Sequence, residues 1–299
     1  MHSLLNMSAD EQTAGPTAAI AHRWAVRCIA AFAAALLLGS GTLVSAQESA
    51  EHRGYLTDRY SLTLGFYELR PETTVRLDAL GGRLGTTLNL EDDLGIKSEA
   101  TAQDFSFGAR IGRRHRVELE RFGVDREGRR DNTRQIVVGN DTYDVGVVLD
   151  SEFDMDVTRV GYAYSFLRDD KKEVGVHVGV HITELAFRVT AELQPITSAT
   201  QEIAETTAPL PVIGAQGGFR FLPRWTLHGR AQIFRLTAGD YDGEIDHLAI
   251  AFEHSTFKRV GLGVALDFFR LNLDSKDDSF LGSFELKFAG PRIFAHAHF

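Results

Sequence analysis

The sequence predicts an all-β fold, a transmembrane antiparallel up-and-down β-barrel of about ten strands, with eight and twelve strands as the alternatives. Three observations predict it. From Tyr60 onward, apolar residues alternate with small or charged ones, and this period of two places every second side chain on one face of a strand. Short and long connections alternate along the chain, as turns and outer loops do in such barrels. No apolar run beyond the N-terminal region is long enough for a membrane helix, so a membrane-spanning form must be a closed barrel.

The N-terminus has the pattern of a secretory signal peptide. Arg23 and Arg27 precede an apolar run at 28–38, and the small residues 44–46 follow it, which predicts cleavage after Ala46. The run has about 11 residues, fewer than the roughly 20 that a bilayer-spanning helix needs. We therefore predict a signal peptide at 1–46, a short N-terminal segment at 47–58 and an outer-membrane barrel domain at 59–299.

Composition excludes several classes of function. Cys28 is the only cysteine and leaves with the predicted signal peptide, so the mature chain has no disulfide and no cysteine metal ligand. The formal net charge is −9, which gives no basic surface for nucleic acid. No cofactor is predicted.

Each strand is predicted from its alternation. In the clearest one, Val174, Val176 and Val178 alternate with Gly175 and His177. The same pattern recurs at 60–66, 104–111, 115–125, 162–166, 213–221, 227–233, 248–252 and 260–268. The second face mixes glycine with acids and bases, as in a narrow lumen where facing side chains fit and pair.

Connection lengths predict the orientation of the strands. Short links lie at 112–114, 167–172, 222–224 and 256–258, and long ones lie near 71–101, 126–150, 191–208, 238–243 and 274–278. Long outer extensions, including part of 71–90 and the segments around 135–155, are expected to pair above the membrane. Aromatic residues gather near the short links, as in an interfacial girdle: Tyr164, Phe166, Phe219, Phe221, Trp225 and Phe257. Because both ends of such a barrel are periplasmic, the strand number is even. Residues 279–299 are therefore predicted to form one last strand, with a bulge at Gly290-Pro291.

Several segments resemble a broad, poorly characterised group of proteobacterial outer-membrane β-barrel proteins. The C-terminus, with Ile293, Ala295, Ala297 and Phe299 at alternate positions, resembles the terminal-phenylalanine signal of these barrels, and segments 85–96, 114–119, 159–166 and 289–291 are similar to segments of the group. The resemblance implies the fold and the cell outer membrane more than an activity. It implies outer-membrane lipid and lipopolysaccharide as partners, and the barrel-assembly machinery as a partner of the last strand through Phe299.

Charged residues at predicted lumen positions form the main candidate site. They are Arg110, Glu118, Glu120, Arg220, Arg230, Glu253, Asp267, Glu285 and Lys287. Such residues form either a charged constriction that filters solutes or a plug of ion pairs that fills a narrow barrel, and we favour the plug or a very narrow pore. Acidic pairs in the loops, Asp92 and Asp93 with Asp277 and Asp278, are interpreted as solvated surface groups.

Candidate catalytic and metal-binding residues are sparse. His254 and Ser255 form the only close pair of a nucleophile and a base, but adjacent strand residues point to opposite faces. His177 and His181 are roughly 13 Å apart on one face, too far for one zinc ion. His296 and His298 are about 7 Å apart and need a ligand from another strand. We predict polar packing in the lumen, with no catalytic or metal site.

The functional hypothesis is an envelope-structural or narrow-pore barrel without catalysis. The first alternative is a lipid-modifying barrel enzyme of the lipid A deacylase kind, which would need a convergent serine, histidine and acid near the outer rim. The second is a surface-binding barrel that acts through its long outer loops.

Overall fold

The computed structural model describes residue 56 and residues 58–79, 84–192, 199–238, 241–277 and 280–299. The predicted signal peptide and most of segment 47–58 lie outside the described residues. In chain order the elements are β1 (Tyr60–Leu77), β2 (Leu88–Asn89), α1 (Leu90–Leu94), β3 (Ala100–Ile111), β4 (His115–Asp131), β5 (Ile136–Val138), β6 (Asp141–Tyr143), β7 (Val148–Arg168), β8 (Lys172–Glu192), β9 (Ala199–Leu222), β10 (Trp225–Ala238), β11 (Tyr241–His254), β12 (Val260–Asp277) and β13 (Phe280–His298).

Ten antiparallel strands close into a barrel, as predicted. They follow the order β1, β3, β4, β7, β8, β9, β10, β11, β12 and β13, and β13 pairs with β1 to complete the ring. Ser61 lies opposite His298 and Leu77 lies opposite Gly282 at the two ends of this closing pair. Strand β2 adds two residues beside β1, and β5 and β6 form a separate hairpin.

Residues 280–298 form one strand across Gly290-Pro291, which confirms the prediction of a single last strand. The predicted bulge is wrong. Tyr67 pairs with Arg292 and Arg70 pairs with Ala289, so the register is the same on both sides of the dipeptide. On the other side, the pairing with β12 is continuous. Only the two pairings between Gly290-Pro291 and β1 are missing, because proline lacks the N–H that a ladder needs.

The predicted short links are turns, whereas much of the predicted long links is strand. The chain turns tightly between β3 and β4, β7 and β8, β9 and β10, and β11 and β12. Strand β1 continues to Leu77, β4 to Asp131, and β7 begins at Val148. The barrel wall therefore extends well beyond the segments in which the alternation is clearest.

Apolar side chains change from the outer to the inner face partway along each long strand. In β1, Leu64 and Phe66 are 53% and 56% exposed, whereas Tyr67 and Leu69 are 8% and 1% exposed. Strand β12 changes between Phe268, which is exposed, and Phe269, which is buried. We call this position on each strand the face switch.

The face switch divides the barrel into two halves. In the half that carries the start of β1 and the end of β13, which we call the membrane half, apolar residues point outward, as lipid contact requires. In the other half, which we call the outer half, they point inward and form a core. Its largest fully buried side chains include Leu69, Leu88, Leu90, Leu94, Ile96, Ile136, Leu149, Phe153, Met155, Ile245 and Leu271. The outer half is thus packed as a water-soluble protein is.

Helix α1 lies against this core. The side chain of Asn89 accepts from the amide of Asp92, and Gly95 ends the helix with φ 70, a conformation that glycine adopts without strain. Leu90 and Leu94 are fully buried. Asp93 accepts from the amide of Asn89 and pairs with Arg134 at 2.9 Å. One of the predicted surface acids therefore holds the helix in place.

No helix within the described ranges is long and apolar enough to cross a membrane.

Candidate functional site

The predicted lumen charges separate into two groups. Arg110, Glu118, Glu253 and Asp267 are buried inside the barrel, and Glu120 and Arg230 are partly buried beside them. Arg220 lies half-buried next to the turn between β9 and β10, and its backbone N–H donates to Lys171.

Glu285 and Lys287 do not face the lumen, and their predicted placement is wrong. The two side chains lie 2.7 Å apart on the outer surface, each about one-third exposed, and Glu285 also pairs with Arg270. Both residues are in the outer half, where the inward positions of β13 are taken by Phe284, Leu286 and Phe288. Charged residues there face water because the interior is apolar.

Arg230 is the centre of the charged layer, by which we mean the ion-paired groups inside the membrane half of the lumen. Its guanidinium pairs with both Glu118 and Glu120. Glu120 also accepts from Arg159 at 3.3 Å. Arg230 is on β10 and the two glutamates are on β4, and three strands separate β10 from β4 on the shorter way around the ring. These ion pairs therefore cross the lumen.

A hydrogen-bonded chain of neutral and acidic groups adjoins Arg230. The amide of Gln232 donates to Nδ1 of His177 at 3.0 Å. The side-chain carbonyl of Gln232 lies 2.9 Å from Nδ1 of His247. Nε2 of His247 in turn lies 3.3 Å from Asp267. The hydroxyl of Tyr67 donates to Asp267 at 3.4 Å. These contacts connect β8, β10, β11, β12 and β1 through the barrel interior.

Arg292, on the last strand β13, completes the charged layer. It pairs with Asp104 at 2.9 Å and lies 3.7 Å from Asp267, and its guanidinium sits over the ring of Tyr67. Each acid of the layer thus has a basic partner or a donor, which is the condition for holding charges in a narrow lumen.

A second buried pair lies at the end of the barrel where β1 begins and β13 ends. Arg110 donates to both carboxylate oxygens of Glu173, at 2.7 and 2.9 Å, and the hydroxyl of Ser165 donates to the same carboxylate. Two arginines also bind the backbone before β1: Arg168 donates to the carbonyl of Leu56 and Arg110 to that of Asp58. Leu56 and Asp58 are therefore bound to the barrel at this end.

The carboxylate of Glu253 holds a cluster of histidines next to Asp58. Its carboxylate contacts His228 at 3.1 Å, His296 at 2.9 Å and His298 at 2.8 Å. Nδ1 of His298 lies 3.6 Å from the carboxylate of Asp58. Sequence spacing placed the two C-terminal histidines together, but their acidic partners come from β11 and from the segment before β1.

Asp58 is buried, yet its pKa is lowered. Burial by itself would raise the pKa of this carboxyl, but the positive charge of Arg116 and the imidazole of His298 outweigh it, so the pKa lies below its ordinary value. Such a carboxylate is available as an acceptor or a metal ligand.

The sequence interpretation missed several members of this interior. Arg116, Arg159 and Glu173 are buried on the lumen face of their strands, and Arg292 joins them there through Asp104 and Asp267. Alternation counted from their neighbours identifies all four. Asp58 precedes the first strand, and no pattern in the sequence marks it.

The free space in the lumen is small. A cavity of about 120 Å³ lies between the charged layer and the histidine cluster, lined by Arg116, Glu118, His228, Arg230 and Glu253 among others. Ligand pockets for small molecules are usually about 300–1,000 Å³. The cavity has room for a few water molecules.

The candidate catalytic residues do not converge. Nδ1 of His254 contacts the hydroxyl of Thr256 at 3.2 Å, and its ring packs on Trp225, so it is not directed at Ser255. His181 is buried, and within the described residues neither of its ring nitrogens has a hydrogen-bond partner. His177 is engaged with Gln232. Of these three histidines, only His177 makes the polar contact inside the lumen that the sequence predicts.

Neither a family model nor a curated protein sequence matches this chain. Solved structures do match it. The outer membrane protease OmpT from Escherichia coli has a TM-score of 0.53 at 9% sequence identity, covering 80% of this chain and 96% of that one. The chain folds as an outer-membrane β-barrel. The outer membrane protein OprG from Pseudomonas aeruginosa gives a TM-score of 0.33 at 11% identity over 82% of this chain and 99% of that one. Ail from Yersinia pestis gives 0.32 at 8% identity over 79% and 97%. At 9% identity the likeness to OmpT concerns the fold alone.

Proposed function

We propose that this outer-membrane barrel is closed to solutes and contributes to the structure of the envelope, without catalysis. The observation that carries the proposal is that side chains from distant strands meet inside the barrel at two levels. In the membrane half, Arg230 on β10 pairs with Glu118 and Glu120 on β4.

The second level is the apolar core of the outer half. The ring of Phe153 on β7 stacks on that of Phe284 on β13, with centroids 5.6 Å apart, although three strands separate β7 from β13 on the shorter way around the ring. Phe288 stacks on Phe269 at 5.0 Å and meets Phe122 edge-on at 6.3 Å. A solute could cross the barrel only if side chains moved apart both in the apolar core of the outer half and in the charged layer. We therefore favour a plugged barrel over a narrow pore.

Planar-bilayer recording of the purified barrel is expected to give no discrete conductance steps. An open porin reconstituted in the same bilayers serves as the positive control for insertion. Uniform steps that change in size when Arg230 is replaced by alanine would indicate a path through the charged layer. That result would contradict the plugged barrel and favour the narrow pore.

We further propose that the chain is exported by the signal peptide at 1–46 and resides in the cell outer membrane. Its partners there are lipid and lipopolysaccharide along the exposed apolar belt, which includes Leu64, Phe66, Val264, Leu266 and Ile293. The belt supports the proposal because side chains of this kind, gathered on one half of a barrel, match the hydrocarbon layer of a bilayer.

The terminal residue supports a role in assembly. Phe299 is half-exposed, its amide donates to the carbonyl of Tyr60, and its carbonyl accepts from the amides of Arg59 and Tyr60. The side chain is thus free to be recognised while the backbone completes the closing pair. We propose that the barrel-assembly machinery binds this strand through Phe299.

Phe299→Ala is expected to lower severalfold the amount of folded barrel recovered in the outer-membrane fraction of cells, because recognition during assembly is weakened. The matched control is Ile293→Ala, which removes another exposed apolar side chain from the same strand. Both variants, refolded from urea into detergent, should give the same yield as the parent. Equal loss for the two variants in cells would contradict a specific role of the terminal residue.

A further inference from the structure

We propose that Asp58, His296 and His298 form a binding site for a divalent transition-metal ion, with Zn²⁺ as the probe. Atoms able to bind a metal, one from each of these residues, all lie within 4.8 Å of one another. All three side chains are buried, with exposures of 3%, 5% and 1%. Two imidazole nitrogens and one carboxylate form a ligand set that zinc and its neighbours in the first transition row accept.

Glu253 orients the two imidazoles for this purpose. Its carboxylate oxygens bind Nδ1 of His296 and Nε2 of His298, at 2.9 and 2.8 Å. The nitrogens that do not contact Glu253 are Nε2 of His296 and Nδ1 of His298. Histidine ligands in metal sites usually donate their second ring N–H to a carboxylate, which fixes the tautomer and makes the ligand nitrogen more basic. Glu253 does this for both residues, so it is a positioning residue.

Asp58 completes the site from a different part of the chain. Its Oδ2 lies 3.6 Å from Nδ1 of His298 and 4.0 Å from Arg116. Its Oδ1 is buried and, within the described part of the chain, has no hydrogen-bond partner. A buried carboxylate oxygen without a donor is costly, and coordination of a cation would satisfy it.

A cavity adjoins the proposed site at His296. His296, His228 and Glu253 line the cavity of about 120 Å³, which leaves room for a water molecule as a further ligand. Asp58 precedes β1, and the two histidines end β13. A bound ion would therefore join the start of the first strand to the end of the last one. The ion would hold the closing pair of the barrel.

The test is zinc binding by the full mature chain refolded in detergent and stripped with a chelator. After incubation with ZnCl2 and dialysis, the parent is expected to retain close to one zinc ion per chain, measured by elemental analysis, and to melt at a higher temperature than the stripped protein. His298→Gln and Asp58→Asn should abolish retention. Glu253→Gln should weaken binding by about 10–100-fold.

Two histidine variants serve as controls. His177→Gln changes an equally buried lumen histidine, and His115→Gln changes an exposed one; both should retain zinc as the parent does. Circular dichroism confirms that each variant is folded. If a ligand variant does not fold, the parent alone decides: failure to retain zinc, or retention without a rise in melting temperature, would overturn the proposal. Loss of zinc in His115→Gln would identify surface binding instead and would also overturn it.

Discussion

Arg110→Ala is expected to destabilise the barrel by about 3–5 kcal/mol, because it leaves a buried carboxylate without its cation. The Arg110 and Glu173 side chains are only 4% and 5% exposed, and two hydrogen bonds join them. The measurement is urea unfolding in detergent, followed by the fluorescence of Trp225, the only tryptophan after the predicted cleavage site.

Two further variants make this prediction specific to an unpaired buried charge. Arg121→Ala breaks a pair with Asp156 that is exposed on the outer surface, so its unfolding midpoint should stay close to that of the parent. The double variant Arg110→Met, Glu173→Met removes both charges and should unfold nearer to the parent than Arg110→Ala does. A midpoint for Arg110→Ala equal to that of Arg121→Ala would contradict the prediction.

Phe153→Ala is expected to cost about 3–5 kcal/mol, the usual range for removing a buried phenylalanine. Phe153 is 2% exposed, stacks on Phe284 and lies under the guanidinium of Arg126 at 5.0 Å. The loss combines lost apolar burial with the cavity left in the outer half. Urea unfolding in detergent measures it, as it does for the Arg110 variants.

The neighbouring residue provides the matched control for Phe153. Glu152 lies on the opposite face of β7, is largely exposed and pairs with Arg188. Glu152→Ala should therefore have little effect on the unfolding midpoint. Equal unfolding midpoints for Phe153→Ala and Glu152→Ala would contradict the inward packing of β7 in the outer half.

Local pattern and topology together predict most of this fold. Alternation identifies the strands, and the even strand number for a barrel with both ends in the periplasm correctly makes 280–298 one strand. The extension of β1 to Leu77 lies within the predicted outer extensions, but the extension of β4 to Asp131 does not, because segments rich in charge resemble loops when only composition is considered. Pairing with a neighbouring strand, which no local pattern reports, keeps them extended.

The placement of Glu285 and Lys287 failed for a related reason. Alternation says which residues share a face but not which face points inward. Charged residues face the lumen where lipid surrounds the barrel. They face outward where water surrounds it. Similarly, the contact of Asp58 with His298 joins a residue just before β1 to a residue at the end of β13, and only the closing pair of strands brings them together.

The face switch has a further consequence for how deeply the protein sits in its bilayer. Moving the barrel outward by two residues, about 7 Å along a strand, would take up to one apolar side chain per strand from lipid into water, each at about 1.5–3 kcal/mol. Moving it inward would press Arg121, Asp156 and Arg270, which face outward just beyond the switch, into hydrocarbon. The immersion depth is therefore fixed by the protein, and a bilayer of different thickness must thin or thicken around it.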